Sequence, residues 1–203
     1  PPDQADAVQV FSRDVLILSG ASLVNPDSDT DPDEQLITSS GWFLNTGPDD
    51  PITWGEWSAA TATSRAARIG GPRGPRTDVR LSLSNLVPGG VYSVFWATIE
   101  PDSEQPLCPG VERTLPLDAF KVDADAPDAN SFVADTTGAA EFHGRVDGDL
   151  LAARQVFYSI VYHAFGETHY PFPNAGESQT QGEGCRSSFG IDAMRHLLIL
   201  QKW

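Results

Sequence analysis

Nine consecutive residues, Val91–Ile99 (VYSVFWATI), limit what this chain can fold into more than any other stretch. They are rich in β-branched and aromatic side chains, which suit a pleated strand better than a helix. With alternating side chains, Val91, Phe95, Ala97 and Ile99 share one face, and Tyr92, Val94 and Trp96 share the other. Both faces are apolar, so the strand is expected to be covered on both sides. Leu81, Leu83 and Leu86 lead into it through Pro88-Gly89-Gly90, which reads as a central hairpin. Elsewhere no segment sustains a helical period, and short apolar runs alternate with Gly, Pro and Asp turns. This pattern predicts an all-β fold with long loops and little helix, a single large antiparallel β-sandwich or jelly roll. Residues 1–203 are expected to form one domain, with 1–7 as a polar N-terminal lead-in.

The same stretch carries a resemblance. Leu86-x-Pro88-Gly89-x-x-Tyr92-x-Val94 resembles the tyrosine corner of fibronectin type III and immunoglobulin-like sandwiches. The resemblance implies that the Tyr92 hydroxyl folds back onto the backbone near Leu86 and that the chain makes two sheets. It implies nothing about activity, because that architecture hosts many functions. The chain also continues far beyond Ile99, where a fibronectin domain would have one strand left.

Taken in order, Val8–Phe11 and Val15–Leu18 read as one bent strand or a pair, and Asn25–Gln35 as an acidic loop. Arg65–Arg80 reads as an Arg/Gly/Pro loop. Ser131–Phe142 reads as strand, turn and strand, with Gly138 supplying the turn. Gln155–His163 reads as a central strand, Gly190–Arg195 as a helical turn, and His196–Trp203 as an apolar strand.

Charge and cysteine content narrow the partners. Net charge is −15, so the chain repels nucleic acid and anionic membrane. No apolar run reaches the length of a membrane span. Cys108 and Cys185 lie too far apart for a CxxC metal site and read as one long-range disulfide. Such a bond implies an oxidising compartment, extracellular or at the cell surface. The Pro1-Pro2 start fits a processed chain.

Four constellations are candidates for chemistry. Asp27, Asp29, Asp31 and Asp33 alternate as in the first half of a calcium loop, although Pro32 and Thr38 stand where an EF-hand needs Gly and Glu. Asp123, Asp125 and Asp128 form a sparser version. His163, Glu167 and His169 flank Gly166, and with His143 or His196 they have the donor types for zinc or copper. Cys185, Ser187 and Ser188 precede His196, but no G-x-S-x-G elbow is present. Trp42, Phe43, Trp54 and Trp57 are either core or a sugar-stacking surface. Finally, Arg65, Arg68, Arg73, Arg76 and Arg80 concentrate positive charge opposite the acidic loops, a pattern suited to head-to-tail contact. These readings favour an extracellular, non-catalytic structural or adhesive sandwich that self-assembles as a homo-oligomer or filament, with calcium as the one cofactor considered. The alternatives are a metal-dependent enzyme or metal carrier using His163 and His169, and a carbohydrate-binding module whose partner is a polysaccharide.

Overall fold

A computed structural model describes residues 4–8, 15–19, 21–38, 41–47, 50–70, 74–98, 115–122, 124–153, 155–168 and 193–202. The chain is an all-β antiparallel sandwich. Its early strands are β1 (Gln4–Val8), β2 (Val15–Ser19), β3 (Ser22–Val24), β4 (Ile37–Thr38), β5 (Asn45–Gly47) and β6 (Asp50–Pro51). A helical turn, α1 (Trp54–Ser58), follows. The main strands are β7 (Thr61–Ile69), β8 (Arg76–Ser84), β9 (Val91–Thr98), β10 (Leu115–Pro116), β11 (Ser131–Val133), β12 (Ala140–Asp147), β13 (Gln155–His163) and β14 (Ala193–Lys202). Among the described residues, no helix is long and apolar enough to cross a membrane.

Side-chain alternation builds the front sheet. In β8, Thr77, Val79, Leu81 and Leu83 are buried while Arg76, Asp78, Arg80 and Ser82 point away. β12 matches it with Phe142, Gly144 and Val146 turned inward. β7 lies on the other flank of β8, paired from Thr61↔Ser84 to Ile69↔Arg76. The region expected to be an arginine loop is therefore a hairpin. Its inward residues are Ala62, Ser64 and Ala66, too small to give an apolar signature.

The back sheet holds β9, β13 and β14, with β10 and β11 sharing the outer flank of β9. β9 and β13 are buried on both faces, as the sequence of β9 demands. Tyr92, Val94, Tyr158, Ile160 and Tyr162 face the sandwich, whereas Ser93, Phe95, Ser159 and Val161 face away. Two segments join the sheets at their margins. In β1, Gln4–Asp6 pairs with β7, and Ala7–Val8 pairs with β14. On the opposite margin, the Leu117 N–H donates to Val94, while Asp118 accepts from Arg145 and the Phe120 N–H donates to His143. Strands that change sheets in this way form the corners of a sandwich. Gly144 is required for the second crossing, because a Cβ there would stand 2.7 Å from Leu117 Cγ.

Two other expectations are corrected. β8 and β9 are not a hairpin: β8 pairs with β7 and β12, β9 with β13, and the Pro88-Gly89 turn carries the chain between sheets. The residues 193–195 of the expected helical turn belong to β14. β14 itself pairs with β13 along its length and with β1 at Leu198 and Ile199. Cβ–backbone contact shapes the corner further. Gly138 adopts φ +74°, and a Cβ on it would meet the Leu86 carbonyl oxygen at 2.2 Å.

The corner makes the backbone bond expected of a tyrosine corner. The Val87 N–H donates to the Tyr92 hydroxyl at 2.9 Å. That hydroxyl lies 3.1 Å from His196 Nδ1, and His196 Nε2 lies 2.8 Å from the Trp57 carbonyl oxygen. A carbonyl only accepts, so Nε2 carries the proton and Nδ1 accepts from Tyr92. The indole of Trp57 stacks on the imidazole at 3.7 Å, and Tyr162 meets Trp57 edge-on at 5.7 Å. Burial pushes the His196 pKa down to about 4, against a smaller opposite effect of the Trp57 carbonyl. Burial also pushes the Tyr92 phenol well above its ordinary value.

Tyr92→Phe strands the Val87 N–H and His196 Nδ1 in the core, so it should cost about 1–3 kcal/mol in urea unfolding. An unchanged midpoint would refute the network. Acid acts on the same group. The unfolded imidazole, at 6.5, binds a proton that the folded one refuses until about pH 4, so stability falls as pH drops through that window. Roughly 2 kcal/mol should be lost between pH 7 and pH 5, and His196→Gln should abolish that slope.

Candidate functional site

Three short segments meet below the sandwich at Leu36, Leu44 and Ile52, spaced eight residues apart and all buried. Leu36 donates to Ile52, Ile52 to Leu44 and Leu44 to Leu36, each at 2.9 Å, closing a ring of backbone hydrogen bonds. The ring ties Leu36, ahead of Thr38, to Leu44, which follows Trp42 and Phe43. The Gly41 N–H donates to the Thr38 carbonyl, with Gly41 at φ +85°. The Trp42 N–H donates to the Thr38 hydroxyl at 3.1 Å.

This geometry holds Trp42 and Phe43 out in solvent, 61% and 57% exposed. Phe165, 63% exposed, stands near them on the turn that ends β13, closed by the Gly166 N–H on the His163 carbonyl. Between these rings lies an open hollow of about 250 Å³. Its polar lining comes from Thr38, Asn45 and Thr46. The Gln35 amide donates to Asn45 Oδ1 at 2.9 Å, and the Thr46 hydroxyl donates to the Asp50 carboxylate. Both side chains are thus oriented before any ligand arrives.

The four aromatics singled out by sequence divide sharply. Trp54 and Trp57 are core, 6% and 2% exposed, on one face of α1. Thr53 and Glu56 cap that turn reciprocally, a capping box that fixes its start. Trp42 and Phe43 are surface. Phe165 was missed by sequence reasoning, although a large apolar residue directly before a turn glycine was a signal for it.

Among the described residues, the other candidates do not converge. Asp27 Oδ1 accepts from the Asp29 N–H, and Asp31 Oδ1 from the Asp33 N–H, so two of the four carboxylates brace their own loop. His163 is buried against Ser93 Oγ at 2.7 Å, whereas Glu167 is exposed. His169, Asp123, Cys108, Cys185 and Arg73 lie outside the described residues. Among the described residues, no three His, Cys, Asp or Glu side chains gather as a metal site would need. Arg68 pairs with Asp149 at 2.6 Å and Arg76 with Asp147 at 3.0 Å, inside the same molecule. His196, which follows Cys185, Ser187 and Ser188 in sequence, is committed to Tyr92 and Trp57.

Compared with known proteins, the chain matches no family model, no curated protein and no solved structure.

Proposed function

We propose that the protein is an extracellular, non-catalytic binding module whose aromatic hollow takes a neutral sugar ring of a polysaccharide. One observation carries this reading: Trp42, Phe43 and Phe165 surround a single hollow with most of each ring in water. Large exposed apolar patches rimmed by polar groups mark binding surfaces. A ring face stacks on the C–H face of a sugar, and pre-oriented Asn45 and Thr46 supply hydrogen bonds to its hydroxyls. A nucleobase would stack as well, but its phosphates meet a chain of net charge −15. The reading draws its adhesive character from the rigid ring beneath the hairpin, since a preformed site loses less entropy on binding.

Titration of soluble neutral polysaccharides, read by calorimetry and affinity electrophoresis, tests it. Trp42→Ala should weaken binding at least tenfold, about 1.4 kcal/mol, with the melting temperature unchanged because the ring is exposed. Trp54→Phe, in the core, should change stability and leave affinity alone. A wild-type protein that binds no member of a broad neutral panel overturns the proposal, as does binding that Trp42→Ala leaves intact.

A further inference from the structure

The two walls of the aromatic hollow are unlike. One is carried by Thr38 and residues 42–47, the other by Ala164 and Phe165. The polar side chains of the lining, Thr38, Asn45 and Thr46, all belong to the first wall; the second offers a methyl group and a phenyl ring. That second wall is fixed before any ligand arrives. Ala164 is half-buried and packs against the core. The Gly166 N–H donates to the His163 carbonyl at 3.0 Å, with Gly166 at φ +72°. The His163 side chain is buried, its Nε2 2.7 Å from Ser93 Oγ. Just beyond, the Thr168 hydroxyl donates to the Asp128 carboxylate. Phe165 is therefore anchored from both sides while its own ring stays in water.

Size and hydrogen-bond sense narrow what fits between the walls. The hollow measures about 250 Å³, below the roughly 300–1,000 Å³ of pockets that enclose a whole drug-sized ligand, so it takes one sugar ring with its neighbours outside. The Thr46 hydroxyl gives its hydrogen to the Asp50 carboxylate, so toward a ligand it accepts. Asn45 Oδ1 already accepts from Gln35, and its amide makes only a long contact of 3.5 Å to the Phe43 carbonyl, so toward a ligand it donates. A donor and an acceptor on successive residues suit two neighbouring hydroxyls at the rim of a pyranose. Equatorial hydroxyls lie at that rim. An axial hydroxyl stands across a face of the ring instead, where it loses water against aromatic carbon and gains no partner. Rings on both walls mean that turning the sugar over does not rescue it.

We infer that the hollow selects a pyranose whose ring hydroxyls are all equatorial, as in a β-glucan, and that Phe165 is the residue that makes the selection. This rests on the sugar reading of the hollow and names the class of sugar it takes. Trp42 and Phe43 supply affinity for any sugar with one apolar face; Phe165 adds the demand that the second face be apolar too. An apolar pocket rejects an added hydroxyl by about a hundredfold. This hollow is open to water on one side, so a discrimination of at least about tenfold is expected, about 1.4 kcal/mol.

Calorimetry with two matched pairs of oligosaccharides decides. β-1,4-Linked glucose and mannose hexasaccharides differ only in an axial 2-hydroxyl, and β-1,3-linked glucose and galactose hexasaccharides only in an axial 4-hydroxyl. For whichever linkage binds, the wild type should hold the glucose member at least tenfold more tightly. Phe165→Ala should shrink that ratio below about threefold, chiefly by weakening the glucose member, whereas Trp42→Ala should weaken both members together. Melting temperatures check folding; if Phe165→Ala does not fold, the wild-type ratios carry the test by themselves. Equal affinities within a pair, or a preference for the axial member, overturn the inference and leave the sugar reading standing. A ratio that survives Phe165→Ala overturns the role given to Phe165. Binding to none of the four also overturns the inference, and the broader neutral panel then shows whether the sugar reading has fallen with it.

Discussion

One imidazole ties the structure together. In the pairing of β13 with β14, Ile160 faces Leu197 and Val161 faces Arg195, so His196 is an extra residue with no partner in the ladder. Such a bulge re-aims a side chain. Here it turns His196 into the sandwich, beside Leu197 rather than away from it. Its two nitrogens then meet the corner hydroxyl of Tyr92 and the carbonyl at the end of α1. Three parts of the chain far apart in sequence are thereby locked: the crossing between sheets, the last strand, and the helical turn that leads up from the lower ring. A buried polar ring is tolerable only when both nitrogens are satisfied, and the neutral tautomer satisfies both.

The corner itself depends on backbone that no side chain can enter. The Leu86 N–H donates to the Gly138 carbonyl, and the Ala134 N–H donates to Gly90. A Cβ on Gly90 would stand 2.9 Å from both the Tyr162 ring and the Val87 carbonyl. Tyr92 also stacks on Phe132 at 5.3 Å, and Phe132 meets Phe142 across the sandwich at 5.9 Å. The aromatic layer therefore runs from Trp57 through His196 and Tyr92 to the front sheet. Its density follows from glycine placement, since larger residues at the turns would hold the rings apart.

Much of this was legible in the sequence, and the gaps have physical causes. Val91–Ile99 announced a strand covered on both sides, and Tyr92 announced a corner, because both are local patterns with local consequences. Sheet membership was not legible. Nothing in Pro88-Gly89-Gly90 distinguishes a turn within a sheet from one between sheets, since the choice rests on partners in β12 and β13 that lie 57 to 72 residues away. β7 was hidden because Ala62, Ser64 and Ala66 are too small to mark an inward face. The arginines of the β7–β8 hairpin misled for a related reason: a strand half exposed to water on one face reads as a loop when its buried half is small. The lower ring has a visible period, Leu36, Leu44 and Ile52, but three residues at one spacing acquire meaning only once their hydrogen bonds close.

The candidate site follows from the same division of labour. α1 has a capping box, so Trp54 and Trp57 share a face and go inward together with His196. The Thr38–Gly41 turn gives Trp42 no such face, and Phe43 sits on a bridge to Ile37 at the margin of the ring. The hollow then needs a second wall, and β13 supplies it by ending in Phe165 two residues beyond buried His163. Because its walls come from Thr38, residues 42–47 and residues 164–165, the hollow exists only when the sandwich is assembled. Exposed aromatics of an unfolded chain would be scattered and mobile; these are held by a closed ring of backbone bonds on one side and by a central strand on the other. That arrangement keeps three large rings in water at fixed positions. Trp42, Phe43 and Phe165 are each more than half exposed around the hollow, and that exposed apolar surface is what the proposed ligand would cover.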